Sequence, residues 1–327
     1  MRANVEMTRT EMPQELCADV SIAVLIPCHN EETSIGKVVA DFRSALPEAE
    51  VFVFDNNSTD RTIELAMAAG AHVTREPLQG KGHVVRRMFS DIEADIYVLV
   101  DGDDTYEAAS VREMIEQLRA GTLDMVTGTR ITQIQAAYRP GHRFGNVMLT
   151  GLVAAIFGNR ISDMLSGYRV FSRRFVKSFP ALSSGFETET ELTIHALELK
   201  MPLGEVDTPY RDRMEGSSSK LSTYKDGARI LATIVQLVKE EKPLQFFMVV
   251  AAALFLLAIG ISIPIFIEFH RTHLVPRFPT AILATGIVLL SFLSLVCGLI
   301  LDSVARGRKE AKRMVYLSIP ATRRVQR

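Results

Sequence analysis

Two apolar runs without a single charged residue, residues 246–267 and 280–301, constrain this chain more than any other feature. At a rise of about 1.5 Å per residue, either run wound as a helix reaches across a hydrocarbon core of about 30 Å. Buried helices of a soluble core are the alternative, but uncharged stretches of this length rarely serve there. The reading is a helical hairpin in a lipid bilayer, joined by the short connection 268–279. After Leu301 come Arg306, Arg308, Lys309, Lys312, Arg313, Arg323, Arg324 and Arg327 against only Asp302 and Glu310. Positive charge marks the cytoplasmic side, so the tail is expected there, and two crossings return the N-terminal body to the same side.

Residues 1–20 are polar and acidic and lack the apolar core of a secretory signal, so the body is expected to stay where it is made. Lys and Arg total 37 against 38 Asp and Glu, which excludes the basic excess of a nucleic-acid binder. Cys17, Cys28 and Cys297 are far apart and carry no zinc-like spacing.

Between Ser21 and Arg130, short β-rich runs alternate with amphipathic stretches. The runs 22–26, 51–54, 72–74, 96–100 and 125–127 read as strands, and 32–46, 60–69, 81–93 and 108–120 as helices, with Ser58 or Thr59 capping the second. Alternation of this kind predicts an α/β fold with a mostly parallel, Rossmann-like sheet. Further on, helices are expected at 146–157 and 189–199, an extended run at 203–206 and a loop at 216–219. The domain plan is a tail over 1–20, a catalytic domain over 21–222, an amphipathic juxtamembrane helix over 223–245, the hairpin over 246–301 and a basic tail over 302–327. An ordinary surface helix of the soluble domain suits 223–239 almost as well.

Four of the five strand candidates end in polar or acidic residues, and ligands of open α/β sheets bind beyond the carboxyl ends of the strands. Asp101 and Asp103 leave the fourth strand with Gly102 between them, which lets two carboxylates turn toward one hard cation such as Mg2+ or Mn2+. Gln79-Gly80-Lys81-Gly82 lacks the earlier glycine and the following Ser or Thr of a P-loop; Lys81 could still meet a diphosphate, but a helix-start lysine with flanking glycines is about as often structural. Arg130, Arg139, Arg143 and Arg169, then Arg211, Arg213 and Lys220, suit an acceptor that carries phosphate; surface ion pairing is the plainer alternative for any one of them.

Taken in order, Pro27-Cys28-His29-Asn30-Glu31, Asp55-Asn56-Asn57-Ser58-Thr59-Asp60, Gly80-Lys81-Gly82, Asp101-Gly102-Asp103, Gly128-Thr129-Arg130, Asp163-Met164-Leu165-Ser166-Gly167-Tyr168-Arg169 and Gly216-Ser217-Ser218-Ser219-Lys220 form a motif set. It resembles that of the family 2 glycosyltransferases of GT-A fold, within them the polyprenyl-phosphate glycosyltransferases of the dolichyl-phosphate mannose synthase type. The resemblance spans most of 21–221. It implies that Pro27, His29, Glu31, Val53 and Asp55 cradle the base and ribose of a nucleotide-sugar, with Lys81, Gly102, Arg213 and Lys220 also on the donor. It implies a metal, Mg2+ or Mn2+, held by Asp101 and Asp103. Arg130 and Arg143 complete the catalytic set, and Ser166 and Arg169 belong to the acceptor or sugar pocket. His29 stands where the family often has Tyr, and Thr105 where it often has Gln, which leaves Thr105 open as a third metal ligand.

The expected reaction is transfer of a sugar from a UDP- or GDP-linked donor, UDP-glucose being the first guess, to a polyprenyl phosphate, with inversion at the anomeric carbon. Such an acceptor is already anionic and needs no dedicated base. A processive polysaccharide synthase is the nearest rival, but it is expected to carry Gln-x-x-Arg-Trp, and this chain has no tryptophan. A nucleotidyltransferase lacks its glycine-rich opening here. A non-catalytic membrane adaptor is the rival of another class. Homo-oligomerisation stays open, since membrane hairpins often pack against copies or partners.

Overall fold

Blocks of β-branched and aromatic residues at 22–28, 50–55 and 96–99 are the central strands of a seven-stranded sheet in the computed structural model, which describes residues 20–131, 151, 161–183, 185, 187–211, 235–236 and 238–321. The strands are β1 (Ile22–Cys28), β2 (Glu50–Asp55), β3 (His72–Arg75), β4 (Ile96–Leu99), β5 (Met125–Ile131), β6 (Arg169–Ser172) and β7 (Leu203–Pro209), in the order β3-β2-β1-β4-β6-β5-β7. β1 pairs in parallel with β2 and β4, and β2 with β3. β6 runs antiparallel between β4 and β5, and β5 and β7 are parallel. Two antiparallel steps restore direction, so the carboxyl ends of β1, β2, β4 and β5 share one edge, and the start of β6 arrives at the same edge. All four residues of β4 are buried, as expected of a strand covered on both faces.

Helices α1 (Ile35–Ala45), α2 (Thr62–Ala68), α3 (Lys81–Asp91) and α4 (Val111–Ala120) follow β1 to β4. In α1, Ile35, Val38, Val39 and Phe42 recur at the helical period and are all buried. They join Met114, Ile115 and Leu118 of α4 and Val24, Ile26, Val98, Val126 and Val170 of the sheet in one core cluster. Short α5 (Arg173–Ser178) and α6 (Thr188–Leu199) follow β6. Eleven of the twelve residues of α6 are buried, so α6 is a core helix and carries no sided apolar stripe.

The expected cap of α2 is corrected. The helix begins at Thr62, where the Asp60 carboxylate accepts from the Thr62 N–H at 3.0 Å and its hydroxyl at 2.5 Å. Ser58 and Thr59 are engaged elsewhere: the Asn30 N–H donates to the Ser58 hydroxyl at 2.8 Å, and the Thr59 N–H to Asn30 Oδ1 at 2.8 Å. All but residue 151 of the helix expected at 146–157, the loop at 216–219 and most of the juxtamembrane stretch lie outside the described residues.

The described chain divides into two compact units, one built on the sheet and one holding the two long helices. In the second, α7 (Pro243–Thr272) and α8 (Phe278–Ser318) are long and apolar enough to cross a membrane, and only 11% and 17% of their most apolar windows are buried. They meet through small residues: Ala251, Ala258, Ala284, Ser291 and Gly298 are buried. The Ser291 hydroxyl donates to the Ala251 carbonyl at 2.8 Å, and a Cβ on Gly298 would come within 2.9 Å of Phe247 Cβ. α8 continues past the apolar run to Ser318, so the basic stretch after Leu301 is helical for most of its described length. Asp302 and Arg306, one turn apart, pair at 2.5 Å, and the first proline after them is Pro320.

Candidate active site

The tips of β1 and β2 are stitched together by short neutral bonds. Cys28 pairs with Asp55 in the sheet register, and the Asn56 N–H donates to the Cys28 carbonyl at 2.8 Å. Asn30 and Asn57 both adopt left-handed backbone, with φ of 53° and 62°, a conformation asparagine tolerates well. The Glu31 N–H donates to the Thr62 hydroxyl at 2.8 Å. Asn56 is buried and spends its whole amide on the next loop. Its Nδ2 donates to the carbonyls of Glu76 at 3.0 Å and Leu78 at 2.7 Å, and its Oδ1 accepts from the Gly80 N–H at 2.7 Å. The loop that delivers Lys81 is thereby fixed to the end of β2.

Asp55 is fully buried; one carboxylate oxygen accepts from the Ser58 N–H at 3.1 Å and the other, Oδ1, has no hydrogen-bond partner among the described residues. An acceptor that is buried and unsatisfied is costly, and it suits the imide or amine edge of a base. Val53 is also fully buried, so its side chain backs Asp55 and lines no open surface. Pro27, His29 and Glu31 are half-buried at the same edge.

The β4 tip is built on charge. Lys81, the first residue of α3, sends its ammonium to Asp101 Oδ1 and Glu189 Oε1, each at 2.5 Å. Burial opposes the charge on Lys81, but attraction to Asp101 and Glu189 raises its pKa above the ordinary lysine value. Gly167 presses on the other side of Asp101: a Cβ there would stand 2.2 Å from Asp101 Oδ2. The Gly167 N–H donates to the Tyr106 hydroxyl at 2.9 Å, and burial pushes that phenol's pKa up.

Gly102 also meets a packing demand. A Cβ at this position would come within 2.6 Å of Cys28 Sγ, so close packing on β1 demands the glycine. The Gly102 carbonyl accepts from the Ser34 hydroxyl at 2.7 Å, which ties the acidic loop to the start of α1. Asp103 is buried and Thr105 donates to its Oδ1 through the hydroxyl at 2.6 Å, so Thr105 orients Asp103 in this structure. Asp104, with φ of 58°, pairs with Lys37 at 2.7 Å. Among the described residues no group of three or more His, Cys, Asp or Glu forms a ready metal centre. Asp101 and Asp103 still fit a divalent cation that draws its remaining ligands from phosphate and water, and Asp101 already binds a cationic group.

At the β5 tip, Arg130 forms a two-pronged pair with Asp163, through Nε and Nη2 at 2.7 Å each, and its guanidinium lies 5.6 Å from the centre of the Tyr210 ring. Burial works against the Asp163 charge, but hydrogen bonds and attraction from Arg130 hold its pKa below the usual value. Ser166 and Arg169 are fully buried. The Ser166 hydroxyl donates to the Gly128 carbonyl at 2.6 Å, while Arg169 donates to the carbonyls of Ser166 at 3.0 Å and Met164 at 2.7 Å and to the Thr193 hydroxyl at 2.9 Å. The two therefore shape the 163–168 loop from beneath, which corrects the expectation that they line a pocket. Arg139, Arg143, Arg213 and Lys220 lie outside the described residues. Sequence reasoning missed Tyr106 and Glu189 as site-building residues, and placed Asn56 and Asp163 in motifs without giving either a role of its own. Glu189 and Glu191 are the acidic first turn of α6, where helix polarity alone accounts for them.

The family model described as "Glycosyl transferase family 2" matches residues 23–179. Glycosyltransferase AglJ of Haloferax volcanii is 36% identical over 233 residues, covering 69% of this chain and 75% of the relative. A dolichyl-phosphate hexose transferase of the same organism is 31% identical over 222 residues, covering 68% of this chain and 95% of the relative. Among solved structures, glucosyl-3-phosphoglycerate synthase from Mycobacterium tuberculosis, crystallised with Mn2+, UDP and phosphoglyceric acid, superposes with a TM-score of 0.56 at 25% identity, over 68% of this chain and 78% of that one. The mostly parallel sheet is the GT-A fold.

Proposed function

Because the chain belongs to glycosyl transferase family 2, we propose that it transfers a sugar from a nucleotide-sugar to a polyprenyl phosphate at the cytoplasmic face of a membrane. The observation that carries this reading is the pairing, in one chain, of a strand-tip carboxylate pair, Asp101 and Asp103, with two helices able to span a bilayer. The dolichyl-phosphate hexose transferase among its relatives supports the lipid acceptor, and the Mn2+ and UDP in the structural neighbour support a metal-dependent donor.

In this reading the unpaired oxygen of Asp55, with Pro27, His29 and Glu31, receives the nucleoside, and Asp101 and Asp103 hold Mg2+ or Mn2+ against the diphosphate. The metal supplies charge neutralisation for the departing nucleoside diphosphate. Lys81 adds a fixed positive charge on the same side. Arg130, with Arg143, Arg213 and Lys220, brings the acceptor phosphate toward the anomeric carbon. The acceptor oxygen is anionic near neutral pH and attacks without a base, with inversion, so the protein works by positioning and electrostatic stabilisation. A tail left in the bilayer and a head group met at the surface explain why such an enzyme carries a membrane hairpin.

The test is a screen of radiolabelled UDP- and GDP-sugars against membranes that contain the chain and a polyprenyl phosphate. Label is expected in the organic phase as a lipid-phosphate sugar, and Asp103→Ala is expected to reduce it by at least about a hundredfold without loss of folded protein. Label appearing only on water-soluble acceptors would replace the lipid reading, and near-normal transfer by the variant would remove the metal role of Asp103.

A further inference from the structure

Lys81 is held by two carboxylates, and only one of them, Asp101, belongs to the acidic loop at the β4 tip. The other, Glu189, comes from the first turn of α6, far along the chain. The corner that presents Glu189 is firmly built. Gly82 lets the start of α3 press so close that a Cβ there would come within 2.1 Å of the Ser183 carbonyl oxygen. Arg86 donates to the Ala181 carbonyl at 2.9 Å, and the Glu191 carboxylate accepts the N–H groups of Leu182 and Ser183 at 2.8 Å each. Gly80, with φ of 132°, makes the turn that starts α3 at Lys81. Contacts of α3 with residues 181–183, and of these with Glu191 of α6, therefore hold Lys81 near Glu189 independently of the acidic loop.

The two carboxylates differ in how readily each can release the lysine. The Glu189 side chain is 9% exposed and the Asp101 side chain 29%. A carboxylate with little access to water gains no hydration if its partner leaves, whereas the more exposed Asp101 can exchange one cation for another. Resting on the reading that Asp101 binds a divalent metal, we propose that Glu189 is a positioning residue: it retains Lys81 when the metal takes Asp101, so that the ammonium stays beside the diphosphate and out of competition with the metal. Lys81 thus occupies Asp101 while the donor is absent and is handed to Glu189 when metal and donor arrive.

The inference is tested by titrating the full-length chain in detergent with Mn2+ and following the free-ion signal by electron paramagnetic resonance. In Glu189→Gln the lysine leans wholly on Asp101, and the Mn2+ concentration for half-saturation is expected to rise by about fivefold. In the double variant Lys81→Met with Glu189→Gln, which leaves neither charge stranded, Asp101 is free, and half-saturation is expected about fivefold below the unsubstituted chain. Glu189→Asp keeps the charge and is expected to recover most of the loss. A double variant that binds Mn2+ no better than the unsubstituted chain, or a Glu189→Gln variant that binds it equally well, overturns the positioning role. Failure of all forms, the unsubstituted chain included, to take up Mn2+ would instead sink the metal reading on which the inference rests.

Discussion

The tips of β1 and β2 and the tips of β4, β5 and β6 line one edge of one sheet, yet different forces hold them. At β1 and β2 the bonds are short, neutral and local to the motifs: Asn30 to Ser58 and Thr59, and Asn56 to the 76–80 loop. At β4 to β6 the contacts are charged: Lys81 with Asp101 and Glu189, and Arg130 with Asp163. The first region is already shaped for a neutral ligand edge, with one buried oxygen of Asp55 waiting for a donor. The second commits both of its cations to carboxylates, Lys81 to two and Arg130 to one, so an anion or a metal enters it by exchange with these pairs. A ligand that brings both together, as a metal diphosphate does, exchanges with least cost.

The largest break in this comparison is expected from Gly167→Ala. The added carbon would stand 2.2 Å from Asp101 Oδ2, so the carboxylate must move while the neutral region stays untouched. A displacement of about an ångström at a reacting site costs about a hundredfold in rate, and transfer is expected to fall by that order with the far-ultraviolet circular dichroism unchanged. Turnover equal to the unsubstituted chain would mean that the position of Asp101 does not matter to the chemistry.

Asn56→Ala breaks the other region. It removes three bonds and strands the Gly80 N–H and two carbonyls, a loss of about 1–3 kcal/mol. Hydrogen exchange at residues 78–80 should quicken by about tenfold or more while the exchange of β4 amides is unchanged. Equal acceleration in both places would mean that the two regions unfold as one, and the contrast drawn between them would fail.

That contrast also explains what could be read from the chain. The strands β1, β2 and β4 and the hairpin helices were legible because each is a continuous apolar block, and the acidic and polar residues that end the blocks named the functional edge. β6 was not: it is four residues long, begins with a charged residue and alternates with nothing, so Arg169 read as a pocket cation. Its charge is in fact spent on buried carbonyls, a pairing that exists only after β6 is threaded between β4 and β5. Glu189 escaped for the same reason, because its partner Lys81 lies on another helix and no spacing links them. At Gly102 the close neighbour, Cys28, lies at the end of the adjacent strand β1, and no spacing along the chain reveals that contact.

An effect no larger than that of Asn56→Ala is expected at Asp163, and it shows whether the charged region stabilises the fold as well as the site. Arg130 overcomes the burial of Asp163 and depresses its pKa from an ordinary value of 3.8, so the folded state holds this proton less tightly than the unfolded chain. The stabilisation is therefore complete above about pH 4 and is lost as pH falls through the depressed value. Asp163→Asn removes the titrating group and is expected to cost about 1–3 kcal/mol at neutral pH, read from urea unfolding of the sheet unit. The gap between the two proteins should close as the pH is lowered below 3.8, because the unsubstituted chain then loses the same interaction. A gap that stays constant down to the acid limit would show that Asp163 acts through shape and packing, and the β5 tip would then belong with the neutral, stitched side of the edge.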